Sequence, residues 1–114
     1  MTRPNLRLFT YGTLRDPHVQ VSLFGRQVPG AADVLLGYRL GTVTIRDDAV
    51  ITTSGSAVHL CVDHTGEADD RVEGMVLSLT EAELAAADAY ETADYRRVTV
   101  TLASGMQAYL YARA

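Results

Sequence analysis

Two periodicities alternate along this chain, and the points where one gives way to the other mark its elements. Residues 6–11 are strand-like, with Phe9 and Tyr11 in the run, and they lead through Gly12 and Thr13 to Asp16-Pro17, an N-cap followed by proline at the first helical position. The reading is a strand, a tight loop, then a short helix over 17–24 that Gly25 stops. "ADVLLGYRLGTVTI" (32–45) is apolar enough for one long strand whose two glycines suggest a bend or bulge, and short strands follow near 49–53 and 57–63. "RVEGMVLSL" (71–79) reads as a strand with Gly74 as a bulge. Thr80 then stands three residues before Glu83, the capping-box spacing, and "EAELAAADAYE" continues with strong helix formers. "YRRVTVTL" and "MQAYLYAR" alternate with period two on either side of Ser104-Gly105, which makes a hairpin. About six strands and two or so helices give an α+β fold, and a curved or barrel-like sheet is the natural way to bury so much Val, Leu and Ala.

Length and charge narrow the possible functions. A chain of 114 residues, with neither repeat nor linker, predicts a single domain over 1–114. A net charge of −4 without a basic stripe argues against nucleic acid as a partner. No apolar run approaches the roughly 20 residues of a membrane span, and the first 20 residues lack a signal-peptide core, so a cytoplasmic address without membrane association is expected. The lone Cys61 rules out an internal disulfide and suits a reducing compartment. All ten basic residues are Arg, which removes Schiff-base and lysine-nucleophile chemistry.

Three places could carry chemistry. The loop in "LFTYGTLRDPH" (8–18) can leave several peptide N–H groups unpaired and aimed together, as a carboxylate or developing oxyanion requires. Glu91, at the end of the second long helix, stands where unpaired carbonyls disfavour a negative charge; that placement, and burial, would raise its pKa toward the range of a general acid or base. The plain alternative is a solvated glutamate near Arg96 or Arg97, and Asp88, three residues earlier on the same helix face, could serve instead. In "VHLCVDH" (58–64), His59 and Cys61 share a strand face with His64 close by, but one cysteine is too few for a structural zinc site, so a buried Cys with surface histidines is expected and no metal. His18 reads as a solvated first-turn residue, and the tyrosines as core or rim aromatics, one of which at a pocket edge could orient a polar ligand.

Taken in order, "YGTLR", "VEGMVLSLTEAELAAADAYE" and "YRRVTVTLASGMQAYLY" resemble the γ-glutamylcyclotransferase, or AIG2-like, family over nearly the whole chain. The resemblance implies a small mixed barrel with flanking helices. It also implies an enzyme that releases 5-oxoproline from a γ-glutamyl amino acid, peptide or amine without metal or cofactor. By the same resemblance Tyr11, Gly12, Thr13 and Leu14 form the binding loop, with Tyr95 of the following strand as a further substrate contact, and Glu91 is the catalytic carboxylate. Thr92 stands where the family often has Gly, and "AVHLCVD" replaces a proline-containing stretch of many relatives, a segment that would line the pocket. The implied partner is a small γ-glutamyl substrate, and the protein would be a monomer or homodimer. Two other readings stay open: a catalytically silent domain that binds a small carboxylate in the same pocket, and a domain whose sheet serves self-association.

Overall fold

A computed structural model of the protein describes residues 5–91 and 93–114; Thr92, the departure noted above, lies outside the described residues. The elements run β1 (Leu6–Thr10), a 3₁₀ turn (Thr13–Arg15), α1 (Pro17–Phe24), β2 (Gly30–Leu36), β3 (Tyr38–Thr44), α2 (Asp48–Ser54), β4 (Val58–His64), β5 (Arg71–Leu79), α3 (Glu81–Tyr90), β6 (Tyr95–Thr101) and β7 (Gln107–Arg113). Five strands form a mixed sheet in the order β2-β5-β1-β7-β6, and β3 pairs with β4 in a separate antiparallel ribbon. The β1–β7 pair is parallel and the others are antiparallel.

The alternating pattern sorts side chains to two cores. Leu8, Leu77, Leu79 and Tyr111 face α1, α2 and α3, where Val19, Val50, Leu84, Ala87 and Tyr90 meet them. Phe9, Leu35, Val72, Val76, Ala108 and Leu110 point to the other face, which Val62 of β4 helps to cover. The α+β architecture is therefore as expected, but the sheet does not close into a barrel. It rolls far enough for the β6–β7 turn to reach the opposite edge strand, where Ala103 N–H donates to the Val34 carbonyl (2.8 Å) and Ser104 Oγ to Asp33 (2.5 Å). No ladder of strand pairs joins β2 to β6.

Three local expectations are corrected. The stretch 32–45 is two strands, because Gly37 (φ +79°) turns the chain out of the main sheet; its N–H donates to the Asp70 carbonyl and its own carbonyl accepts from Thr65 and Gly66. The β-branched run near 49–53 is helical. Asp47 accepts from the amides of Ala49 and Val50 at one end, and Gly55 (φ +77°) closes the other, so two caps override β propensity. Gly74 makes no bulge: β5 keeps an unbroken register with β2 from Arg71 to Leu77, and its even-numbered residues hold one face throughout. A Cβ at Gly74 would lie 2.5 Å from the Thr10 carbonyl oxygen and 2.6 Å from the Phe9 ring, so glycine lets the end of β1 cross close over β5. The capping box at Thr80 and Glu83 is present, and Glu83 also takes a two-point contact from Arg26 (2.7 and 2.9 Å).

Candidate active site

The loop that follows β1 is held from three sides. Tyr11 turns inward and its hydroxyl donates to the Tyr111 carbonyl (2.5 Å), while burial, with Tyr95 and Glu91 nearby, raises its pKa and keeps it a neutral donor. Thr13 Oγ1 lies 2.9 Å from the Tyr90 hydroxyl, which ties the loop to the residue before Glu91. Behind it, the buried Gln20 donates from Nε2 to the Leu14 carbonyl and accepts from Val28 N–H, both at 2.8 Å. The loop's own bonds are Arg15 N–H to Gly12 O (3.1 Å) and Asp16 N–H to Thr13 O (2.9 Å). Among the described residues, the amides of Gly12, Thr13 and Leu14 donate to no acceptor.

Gly12 has φ −126°, an angle open to any residue, and nothing lies within 4 Å of a Cβ built on it. Neither a positive φ nor a close neighbour thus demands glycine here. Its effect is to leave the peptide bare where it borders a crevice.

That crevice is lined by Tyr11, Gly12, Thr13, Leu14, Glu91 and Tyr95, together with His59, Leu60 and Tyr111. The six residues that the family resemblance assigned to the site border one space. Its enclosed part is about 20 Å³, room for about one water. Glu91 is the C-cap of α3, with extended backbone (φ −72°, ψ 130°) and its N–H on the Ala87 carbonyl. Burial raises its carboxyl pKa from 4.5 to about 8. Asp88 is placed differently: exposed, it accepts from the Tyr111 hydroxyl (2.6 Å) and pairs with Arg97 (3.0 Å). Of the two arginines named in the solvated alternative, Arg97 is thus engaged by Asp88.

Tyr95 donates to the Leu60 carbonyl (2.7 Å) and pins β4 across the mouth, its own pKa raised by burial and by Glu91. His59 corrects the expectation of a surface histidine. It is buried, and its Nε2 lies 2.9 Å from Ser54 Oγ and 3.0 Å from the Ser56 carbonyl. Since a carbonyl can only accept, Nε2 carries a proton and donates it. Cys61 is buried on the same strand face, and burial pushes its thiol up. His64 is exposed and packs edge-on against Tyr38 (5.0 Å). Among the described residues no group of three His, Cys, Asp or Glu side chains is arranged to hold a metal. The period-two pattern of β4 could have placed His59 inward, had the face covered by α2 been known.

Residues 8–114 match the family profile "Gamma-glutamyl cyclotransferase, AIG2-like", and the chain belongs to that family. No curated protein matches the chain at a significant level. In fold it resembles two Arabidopsis thaliana proteins solved in solution. At3g28950.1 is 22% identical with a TM-score of 0.71, and covers 99% of this chain. At5g39720.1 is 23% identical, also with a TM-score of 0.71, and covers 95%. The chain spans about two thirds of their lengths, 65% and 68%. The crystal structure of the uncharacterized protein PH0828 from Pyrococcus horikoshii is similar too, at 19% identity and a TM-score of 0.64, with 96% of this chain and 78% of that one covered. Among the described residues no helix is long and apolar enough to cross a membrane.

Proposed function

We propose that this chain is a γ-glutamylcyclotransferase-like enzyme that cyclises a γ-glutamyl amino acid, peptide or amine to 5-oxoproline and frees the amine. The observation that carries the reading is the placement of the Glu91 carboxyl, raised to about 8, in one crevice with the unpaired amides of Gly12, Thr13 and Leu14. Family membership supports it.

The reaction needs no protein nucleophile, because the substrate's α-amino group attacks its own γ-carbonyl. Glu91 takes a proton from the α-ammonium, and the freed lone pair closes the five-membered ring. The amides of Gly12, Thr13 and Leu14 hold the oxygen as it becomes negative. As the tetrahedral centre collapses, Glu91 passes the proton to the departing nitrogen and the old C–N bond breaks; the ring nitrogen then gives its second proton to Glu91, from which it goes to the freed amine, so that 5-oxoproline and an ammonium leave and the carboxylate is restored. An α-amino group titrates near 8, so a carboxyl at about 8 exchanges protons with it on nearly level terms. An ordinary glutamate, at about 4.3, would face an uphill transfer of about 5 kcal/mol. Folding the glutamyl chain back on itself supplies part of the rate, as well-oriented intramolecular reactions reach effective molarities on the order of 10⁵ M or more.

Incubation with a panel of γ-glutamyl compounds, followed by mass spectrometry for 5-oxoproline, tests the proposal. Release of 5-oxoproline with the amine in equal amount is expected. Absence of product from every compound, with 5-oxoproline itself still bound, would leave the silent binding domain as the better reading.

A further inference from the structure

The crevice is not the whole of the opening. Gly12, Thr13, His59 and Leu60 also border a wider groove of about 500 Å³, whose outer wall is Val58, Met75, Arg15 and Asp16. That volume falls in the ordinary range of small-molecule sites. Two of the five large apolar side chains left exposed among the described residues, Val58 and Leu60, stand here, and Met75 is half-buried beside them. The charges differ in their freedom. Asp16 is committed to the N-cap of α1 by accepting from His18 N–H (2.8 Å). Arg15 spends only Nε, in a long contact with the Gly12 carbonyl (3.4 Å), and its terminal nitrogens take no partner among the described residues. The guanidinium is therefore held against the loop that borders both spaces, with most of its donors unused.

We propose that this groove is the leaving-group site, and that it selects γ-glutamyl compounds whose departing amine is an apolar α-amino acid. The side chain of that amino acid lies against Val58, Leu60 and Met75, and its carboxylate meets Arg15. The inference rests on the cyclotransferase reading, because only a substrate whose γ-carbonyl sits at the Gly12 amide sends its amine substituent outward along this wall. A lysine-like or polyamine leaving group would put a cation beside Arg15, and a leaving ammonia would leave the groove empty.

The test compares kcat/KM for γ-glutamyl-leucine, γ-glutamyl-glycine and γ-glutamyl-isopentylamide, the last being the leucine compound without its carboxylate, in the wild type and in Arg15→Gln. Leucine should exceed glycine by about tenfold, the scale of partly burying a four-carbon side chain. It should exceed the isopentylamide by about fivefold, as a partly exposed charged contact allows. In Arg15→Gln the second ratio should fall to near one while the first persists. Equal rates for leucine and glycine, or an unchanged second ratio in the variant, would overturn the groove assignment and leave the cyclotransferase standing. Arg15 would in that case serve the glutamyl end. If no compound yields 5-oxoproline, the reading beneath the proposal fails and the proposal with it.

Discussion

Replacing Glu91 by Gln should change how stability depends on pH. Its folded pKa of about 8 lies above the ordinary 4.5, with burial as the cause. The folded chain therefore keeps a proton that the unfolded chain releases once the pH passes 4.5. By linkage, the stabilising contribution of the protonated group is fully present below 4.5, declines through the interval and is gone above 8. At 1.36 kcal/mol for each unit of displacement, the loss by pH 7 is at most about 3 kcal/mol. Glu91 is only half-buried, so solvent screening brings the expected loss to about 2 kcal/mol. Glutamine has no proton to lose, and the fixed cost of its amide does not vary with pH. Urea titrations of both proteins from pH 4 to 9 should thus give a stability difference that is level below 4.5, shifts in favour of Glu91→Gln across the interval, and levels again near 8. In melting temperature the swing is about 8–10 °C for a domain of this size. Other groups titrate alike in both proteins and cancel. A difference that stayed flat from pH 4.5 to 8 would show that the carboxyl is solvated and remove the basis for proton exchange at neutrality.

Other perturbations separate the parts of the site. If Glu91 acts as the base, kcat/KM should rise through an acid limb with an apparent pKa near 8 rather than 4.5, and a limb at the lower value would contradict its burial. Gly74→Ala should destabilise by about 1–3 kcal/mol, because the intruding methyl meets backbone at Thr10 and cannot be evaded; an unchanged urea midpoint would show that β1 has room to move. Gly12→Val should melt as the wild type does, since nothing crowds that Cβ, yet lose 5-oxoproline affinity by calorimetry as the branched side chain fills the crevice. Asp88→Asn should leave turnover within a few fold, because Asp88 is exposed and engaged by Tyr111 and Arg97.

How legible this was from sequence depended on whether the determinant was local. Asp16-Pro17, the Thr80 and Glu83 pair and the alternation after Tyr95 are complete within a few residues, and each produced the element it predicts. The run near 49–53 misled because Val50, Ile51, Thr52 and Thr53 are β-branched, whereas the deciding contacts are the Asp47 cap and Gly55 just outside it. Gly74 misled because its neighbour is distant in sequence: the glycine makes room for Thr10 and Phe9 and leaves its own ladder intact. The same holds in the site. The loop and Glu91 could be picked out along the chain, since a strand-to-helix turn and a helix-end carboxylate are visible there. The family resemblance pointed to "AVHLCVD" as a pocket wall, but that His59 and Leu60 are the residues that border the crevice, and that Thr13 bonds Tyr90, depend on how β4 and α3 pack across the loop, which no spacing encodes.

The central claim is that Glu91 moves the proton. Glu91→Gln keeps the size and hydrogen-bonding shape of the side chain but cannot accept a proton from an ammonium. With a γ-glutamyl compound that the wild type converts, 5-oxoproline formation by the variant should fall at least ~10²-fold, while 5-oxoproline affinity by calorimetry stays within a few fold. Product formed by Glu91→Gln at the wild-type rate would contradict the account.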